Sequence, residues 1–142
     1  MKFLGIDPGK SGGWAVLSDE GELLREGESV EDLRGLSLRR TLCLLEKVGA
    51  SPQMSRSAAF TFGAEYGRWL GFLGWDVELV TPQMWQFHYV KNGYRDLLEG
   101  VQGPERKRNL RTIAQEVFPD VKVTLQNADA LLIANYHYQN HQ

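Results

Sequence analysis

The stretch that decides the fold is residues 2–13, which read Lys2-Phe3-Leu4-Gly5-Ile6-Asp7-Pro8-Gly9-Lys10-Ser11-Gly12-Gly13. An apolar run leads into a single carboxylate at Asp7. Pro8 and Gly9 then interrupt the strand, and a second apolar run begins at Trp14. This pattern predicts a β-hairpin that presents one carboxylate at the point where its first strand ends. A plain hairpin whose aspartate only starts a turn is the alternative interpretation.

The residues around this carboxylate resemble a known nuclease motif. Gly5-Ile6-Asp7-Pro8-Gly9 is similar to the first motif of the RuvC-type Holliday junction resolvases, a branch of the ribonuclease H-like nucleases. In that family the aspartate binds a divalent metal at the scissile phosphate, and the resemblance implies the same role for Asp7. The rival is the sugar-kinase and actin ATPase superfamily, whose first phosphate loop also follows an Asp-x-Gly strand.

Length and composition predict one soluble globular domain over residues 1–142. Apolar residues make up 42% of the chain, which is enough for a core in a domain of this size. No apolar run approaches the ~18 residues of a membrane span, and no charged leader precedes the first strand, so no membrane association is expected. The single cysteine, Cys43, excludes a disulfide framework, is expected to be a small buried residue, and favours a reducing cytoplasm.

The first half of the chain predicts a sheet with one ambiguous element. Strands are expected at residues 2–7, 13–18 and 22–29, followed by a short helical segment at 30–37 with Ser29 as its cap. The leucines of residues 38–46 favour a helix, but the short apolar run that ends at Glu46 favours a buried strand, which is our prediction. A loop at 50–57, a helix from residue 58 or 61 to 74, and a strand at 76–80 follow.

The second half predicts mainly helices. Thr81 and Pro82 open a helix, residues 89–103 are expected to be a mobile loop, and a further helix covers 104–118. A short extended piece at 121–125 precedes a last helix, capped by Asn127 and ending near residue 138. This order of elements predicts an α/β protein with the ribonuclease H-like fold, a mixed five-stranded sheet with helices on both faces.

Three acids lie at comparable places in the predicted elements. Asp7 ends the first strand, Glu46 ends the buried fourth strand, and Asp129 lies in the first turn of the last helix. Carboxylates brought together repel one another and raise one another's pKa unless a cation joins them. Hard oxygen ligands suit Mg²⁺ or Mn²⁺, so we predict a metal site formed by these three residues. Taken singly, each acid reads as a surface charge or a helix-start residue.

Four further segments extend the resemblance to phage-encoded RuvC-like resolvases. In chain order they are similar to the second motif, to the helix start that follows it, to the next segment and to the closing motif. They are Leu44-Leu45-Glu46-Lys47-Val48-Gly49-Ala50, Phe60-Thr61-Phe62-Gly63-Ala64-Glu65-Tyr66-Gly67, Thr81-Pro82-Gln83-Met84-Trp85-Gln86 and Asn127-Ala128-Asp129-Ala130-Leu131-Leu132-Ile133-Ala134. Each is weakly specific alone, and their order makes the resemblance strong. The kinase-like rival is disfavoured because it needs a second lobe and a far longer chain.

The chain departs from the family pattern at one position. The closing motif commonly carries another acid three residues before its last aspartate, and here that residue is Gln126. Its amide oxygen offers a neutral ligand, so the resemblance implies two metal ions of which the second is held more weakly. Glu65 is another acidic residue near this site, and we expect its side chain to face solvent or to take part in packing.

The charge of the chain is unevenly distributed. A net charge of −2 does not by itself indicate nucleic-acid binding, yet four cations cluster between residues 105 and 111: Arg106, Lys107, Arg108 and Arg111. A solvated helix face is the alternative reading of this cluster. Cations at a helix N-terminus oppose the helix dipole, which suggests that an anion lies nearby.

The resemblance implies a metal-dependent, structure-selective DNA endonuclease. It would resolve four-way junctions and other branched DNA by two-metal hydrolysis, leaving a 5′-phosphate and a 3′-hydroxyl, with Lys107 stabilising the charged phosphorane. It would act as a homodimer through the glycine-rich face of residues 62–73, and the resemblance favours a phage over a bacterial prophage as the source. The DNA contacts expected are Lys10, Lys47, Arg56, Arg106, Lys107, Arg108 and Arg111. A branched-DNA-binding module that does not cut, and a ribonuclease acting on RNA–DNA hybrids, are the alternatives.

Overall fold

A computed structural model describes residues 1–47, 49, 52–74 and 76–142. The protein is an α/β structure built on a mixed, open, five-stranded sheet with the strand order β3-β2-β1-β4-β5. The strands are β1 (Lys2–Asp7), β2 (Gly13–Leu17), β3 (Leu23–Gly27), β4 (Thr41–Glu46) and β5 (Val77–Val80). The helices are α1 (Val30–Leu33), α2 (Arg56–Leu73), α3 (Pro82–Tyr89), α4 (Arg95–Leu98), α5 (Gly103–Val117) and α6 (Ala128–Gln139).

The opening hairpin forms as predicted, and its first strand lies at the centre of the sheet. β1 pairs antiparallel with β2, and on its other side it pairs parallel with β4. Successive side chains of a strand point to opposite faces. Leu4 and Ile6 therefore pack with α1 and α2 on one face, while Phe3 packs with α6 on the other. The mixed sheet, with helices on both faces, agrees with the expected architecture.

The ambiguous segment is a strand, beginning at Thr41 rather than at residue 38. Its apolar run is explained by its position, because β4 lies between β1 and β5 and both of its faces are covered. Leu44 belongs to the core beneath α3, α5 and α6, whereas Cys43 and Leu45 belong to the core beneath α1 and α2. Cys43 is a free, buried thiol, as predicted.

Two helix starts follow from capping side chains. Ser29 and Asp32 form a reciprocal capping box on α1, which is shorter than the predicted segment 30–37. Ser55 accepts a hydrogen bond from the Ala58 backbone, so α2 begins at Arg56, earlier than predicted. The predicted loop at 50–57 therefore ends sooner, and its first two residues lie outside the described residues. The apolar face predicted for α2 packs on the sheet through buried Trp69.

The prediction of a mobile loop over residues 89–103 is wrong. Helix α3 is followed by the turns of Val90–Tyr94, where the backbone bends at Asn92 and Gly93, and then by α4. Residues 99–102 are irregular as well. Leu98 is fully buried, and Leu97 and Tyr94 pack against the same core. These three apolar residues lie among charged residues in the sequence, which is why the sequence pattern predicted a surface loop.

The segment before α6 is held by side-chain hydrogen bonds, and the predicted Asn127 side-chain cap does not form. Residues 121–125 join no strand of the sheet. Instead, the Gln115 amide donates to the Phe118 and Val121 carbonyls and accepts from the Val123 backbone. Asn127 precedes α6, as predicted, but its side chain does not cap the helix, because its Oδ1 accepts from the Thr124 backbone at 2.8 Å.

None of the helices within the described residues is long and apolar enough to cross a lipid bilayer.

Candidate active site

The parallel pairing of β1 and β4 places two of the predicted acids side by side. The register pairs Ile6 with Leu45, so Asp7 and Glu46 are the next residues of the two strands. Both carboxylates lie on the sheet face covered by α6, because side chains alternate along each strand. Glu46 is buried, at 6% exposure, and Asp7 is partly buried.

Helix α6 brings the third acid to the same edge of the sheet. Gly5 allows this approach, since a Cβ at that position would lie 2.8 Å from the Ala130 carbonyl oxygen and closer still to the Ala134 backbone. Asp129 precedes Ala130 in the first turn of the helix. The Gln126 amide donates a hydrogen bond of 2.5 Å to the Gly12 carbonyl, which ties the start of α6 to the β1–β2 turn.

The three carboxylates and Lys107 form one electrostatic cluster. Burial raises the pKa of Asp7, against the Gly9 backbone hydrogen bond and the charge of Lys107, which both lower it. Burial and, to a smaller extent, the negative charge of Asp7 raise the pKa of Asp129 to about 6, and Lys107 opposes this rise. Ionising all three carboxylates therefore costs free energy, and a bound cation would lower that cost.

Glu46 is the most perturbed member of the cluster. Burial raises its pKa to about 8, and the charges of Asp7 and Asp129 act in the same direction. The indole Nε1 of Trp85 donates a hydrogen bond of 2.6 Å to Glu46 Oε2, which together with Lys107 lowers the pKa. The sequence indicated Trp85 only as part of a motif. Its hydrogen bond to Glu46 was not predicted, because that contact depends on how α3 packs against β4.

Helix α5 contributes the positive charge beside the acids. Lys107 interacts electrostatically with all three carboxylates, and it lines a groove of about 480 Å³ together with Asp129. The anion expected near the start of this helix is therefore at least in part the protein's own acid cluster. Arg106, by contrast, is used within the fold: its guanidinium donates to the Gln86 side chain at 2.8 Å and to the Leu98 and Val101 carbonyls.

The donor set suits Mg²⁺ or Mn²⁺, both of which prefer carboxylate oxygen and retain bound water. The three acids do not gather to a single point, however. Within the described ranges, the one trio of candidate ligands whose atoms all lie within 4.8 Å of one another is elsewhere, at Glu78, His137 and His141.

The remaining predicted residues lie around this cluster rather than in it. Gln126 has its amide nitrogen engaged with Gly12, which leaves its Oε1 as the atom that could face a metal. Glu65 forms an ion pair with Arg68 at 3.5 Å. The other predicted DNA contacts are exposed side chains: Lys10, Lys47, Arg56, Arg108 and Arg111.

No protein-family model matches the chain, and a search of curated proteins finds no significant match.

Proposed function

We propose that the protein is a metal-dependent endonuclease that cuts branched DNA, with four-way junctions as its principal substrate. The observation that carries this proposal is the convergence of Asp7, Glu46 and Asp129, from the ends of β1 and β4 and the start of α6, with Lys107 beside them. A buried acid cluster of this kind at a sheet edge is typical of a site that binds metal and phosphate together.

The architecture supports assignment to the ribonuclease H-like fold and, within it, to a RuvC-type resolvase. An antiparallel β1–β2–β3 meander is extended by the parallel strands β4 and β5, and helices cover both faces. The sequence motifs that resemble the resolvases fall at the ends of β1 and β4 and the start of α6. The proposal thus combines a shared strand order with the placement of the motifs.

The residues of the chain would divide the chemistry among them. Asp7, Glu46 and Asp129 would hold the ions, with Gln126 Oε1 as a neutral supplement. Divalent ions held there would supply an activated water and would stabilise the leaving 3′ oxygen, so that the product would carry a 5′-phosphate. Trp85 orients the Glu46 carboxylate, and the Lys107 ammonium stabilises the charge that develops on the phosphate.

Exposed cations around the site would position the DNA backbone. Lys10 and Lys47 follow β1 and β4 directly, and Arg56 begins α2. Contacts between such side chains and phosphates fix the register of the substrate without reading its sequence. Arg106 is not among the proposed DNA contacts, because its guanidinium forms hydrogen bonds within the fold.

A four-way junction has two strands to cut, so the proposal includes a homodimer with one site per strand. The outer face of α2 is available for that contact. At Gly63, Gly67 and Gly71 a Cβ would meet nothing within 4 Å, and Phe60 on the same helix is 81% exposed.

A nicking assay on a synthetic four-way junction tests the proposed function. The wild-type protein should cut the junction only with Mg²⁺ or Mn²⁺, and Asp7→Asn should abolish cutting while still binding the junction. Asp120→Asn, which changes an exposed acid away from the cluster, is the matched control and should retain activity. Binding by the wild type without metal-dependent cutting would favour a binding module, and preference for an RNA–DNA hybrid would favour a ribonuclease.

A further inference from the structure

The opposite end of α6 carries a second cluster of potential metal ligands. Glu78 on β5 and the pair His137 and His141 place one ligand atom each within 4.8 Å of the others. His137 follows Asp129 by eight residues, or about 12 Å along a helix, so this cluster is separate from the acid cluster. Its residue types are those that bind Zn²⁺ rather than Mg²⁺.

His137 is the unusual member, because it is buried without a hydrogen-bond partner. The side chain is 1% exposed, and neither ring nitrogen has a partner. The backbone of Leu4 lies near enough to favour a proton on the ring, but no hydrogen bond of normal geometry joins them. Buried polar atoms are rarely left unsatisfied, so each such group calls for an explanation.

The surroundings of His137 keep its ring neutral, which is the form that binds a metal. Burial and, to a smaller extent, the neighbouring His141 lower its pKa to about 4. The ring packs edge-on against Phe3, with 5.6 Å between centroids, and its centroid is 4.5 Å from that of His141. The imidazole therefore has an available lone pair and a fixed position.

His141 is oriented as metal-binding histidines are. A carbonyl can only accept, so the 2.8 Å contact between its Nδ1 and the His137 carbonyl requires the proton on Nδ1. The lone pair then lies on Nε2, which faces Glu78 Oε1 at 3.9 Å. Ligating histidines usually donate their other ring N–H to such an acceptor, which fixes the tautomer.

The electrostatics of this corner also favour a cation. His141 follows the last turn of α6, where the carbonyl ends of the helix carry partial negative charge. Glu78 adds a full negative charge from the edge strand β5, and it is brought there by its pairing with Leu44 of β4.

We propose that Glu78, His137 and His141 form a zinc site that ties the C-terminal end of α6 to the edge of the sheet. Two imidazoles and one carboxylate are a known ligand set for Zn²⁺, with the fourth position left to water. Tetrahedral coordination requires the ligand atoms to lie about 3.4 Å apart, whereas here they lie within 4.8 Å of one another, so the exposed side chains of Glu78 and His141 would close by at most about 1.4 Å on the fixed ring of His137. This site is independent of the proposed nuclease function.

Titration of the tag-free, chelator-treated protein with Zn²⁺ alone tests the site, read by calorimetry and by the shift in unfolding temperature. The wild type should bind one Zn²⁺ saturably and unfold at a higher temperature with it. Glu78→Gln and His141→Ala change exposed side chains, so both variants should fold, and each should lose about 100-fold or more in affinity. His88→Ala removes the remaining histidine of the chain and should bind as the wild type does.

Two results of the titration would overturn the zinc site. One is the absence of saturable Zn²⁺ binding by the wild type. The other is binding that survives in both Glu78→Gln and His141→Ala, which would place the ion elsewhere. A Co²⁺ complex of the wild type should also show the absorption of a tetrahedral site with nitrogen and oxygen ligands, and an octahedral spectrum would equally contradict the assignment.

Discussion

At the scale of single residues, burial opposes the ionisation of the carboxyl groups in the acid cluster. Glu46 is buried beneath α3 and receives a hydrogen bond from Trp85, and its carboxyl has a pKa of about 8 compared with an ordinary value of 4.5. Without a cation, the folded protein therefore favours the protonated acid at neutral pH. A metal ion would have to displace that proton, so metal binding should release protons.

Glu46→Gln should stabilise the metal-free protein at alkaline pH. A pKa that is raised by folding contributes stability at pH values below about 4.5 and loses it as the pH rises through about 8. In a chelating buffer at pH 8.5, the variant should exceed the wild type by about 1–3 kcal/mol in the free energy of unfolding, and the difference should vanish near pH 4.5. Urea denaturation at the two pH values measures this, and a variant less stable than wild type at pH 8.5 would contradict it.

Lys107→Ala should reduce the rate of junction cutting by about 100-fold, because the proposed mechanism uses the ammonium to stabilise charge on the reacting phosphate. It should not weaken metal binding, because removing a positive charge from beside the site relieves its repulsion of the metal cation. Arg108→Ala is the matched control, because Arg108 is the adjacent exposed cation and does not act on the pKa values of the acids. Equal losses in the two variants would show that Lys107 contributes only to general DNA affinity.

At the scale of elements, the close packing of α6 on β1 builds the candidate site. The helix lies against the strand at Gly5, and the contact is made by the backbone at Ala130 and Ala134. One end of the helix delivers Asp129 to the acid cluster, and the other carries His137 and His141. The helix thus links two clusters of different chemistry.

Gly5→Ala should destabilise the protein by about 3 kcal/mol, at the upper end of the cost of overpacking a core. The added methyl group would meet the backbone of α6, which cannot move aside as a flexible side chain can. Metal-dependent cutting should fall as well, because Asp129 would move with the helix. Gly35→Ala, where a Cβ meets nothing within 4 Å, should change the free energy of unfolding by less than about 0.5 kcal/mol. Thermal or urea unfolding of both variants measures the difference.

The elements with strong local signals could be predicted from the sequence, and those that depend on tertiary contacts could not. The hairpin around Asp7 has its own turn residues, and the apolar run before Glu46 identifies a covered strand. The burial of Leu98, in contrast, depends on the core against which it packs, and the local sequence does not show that core. The cluster of Glu78, His137 and His141 also depends on tertiary contacts. The i, i+4 spacing of the two histidines is visible in the sequence, but the strand register that brings Glu78 beside them is not.

At the scale of the whole molecule, the charge distribution matters more than the net charge. The chain carries a net charge of −2, yet exposed cations follow β1, β4 and the first turn of α5 around a buried acid cluster. Such a local arrangement can attract a phosphate backbone to one edge of a mildly acidic protein. It also predicts that junction binding weakens steeply with added salt.

In solution, the protein should be a dimer with twice the chain mass of 16.1 kDa at micromolar concentration. Gly67→Arg should convert it to a monomer, because a long charged side chain would stand on the outer face of α2. Gly35→Arg places the same side chain on an exposed turn after α1 and should leave the dimer intact. Sedimentation or light scattering decides this, and a strictly monomeric wild type would remove the dimer from the proposal.

The most direct test of the central claim is a crystal of the protein grown with Mn²⁺ and measured at the manganese absorption edge. We predict anomalous peaks about 2.1 Å from carboxylate oxygens of Asp7 and Asp129, with Glu46 as a further ligand. A peak at His137 concerns the other cluster and does not bear on this claim. Full Mn²⁺ occupancy elsewhere in the crystal, with no peak among the three acids, would contradict the nuclease site.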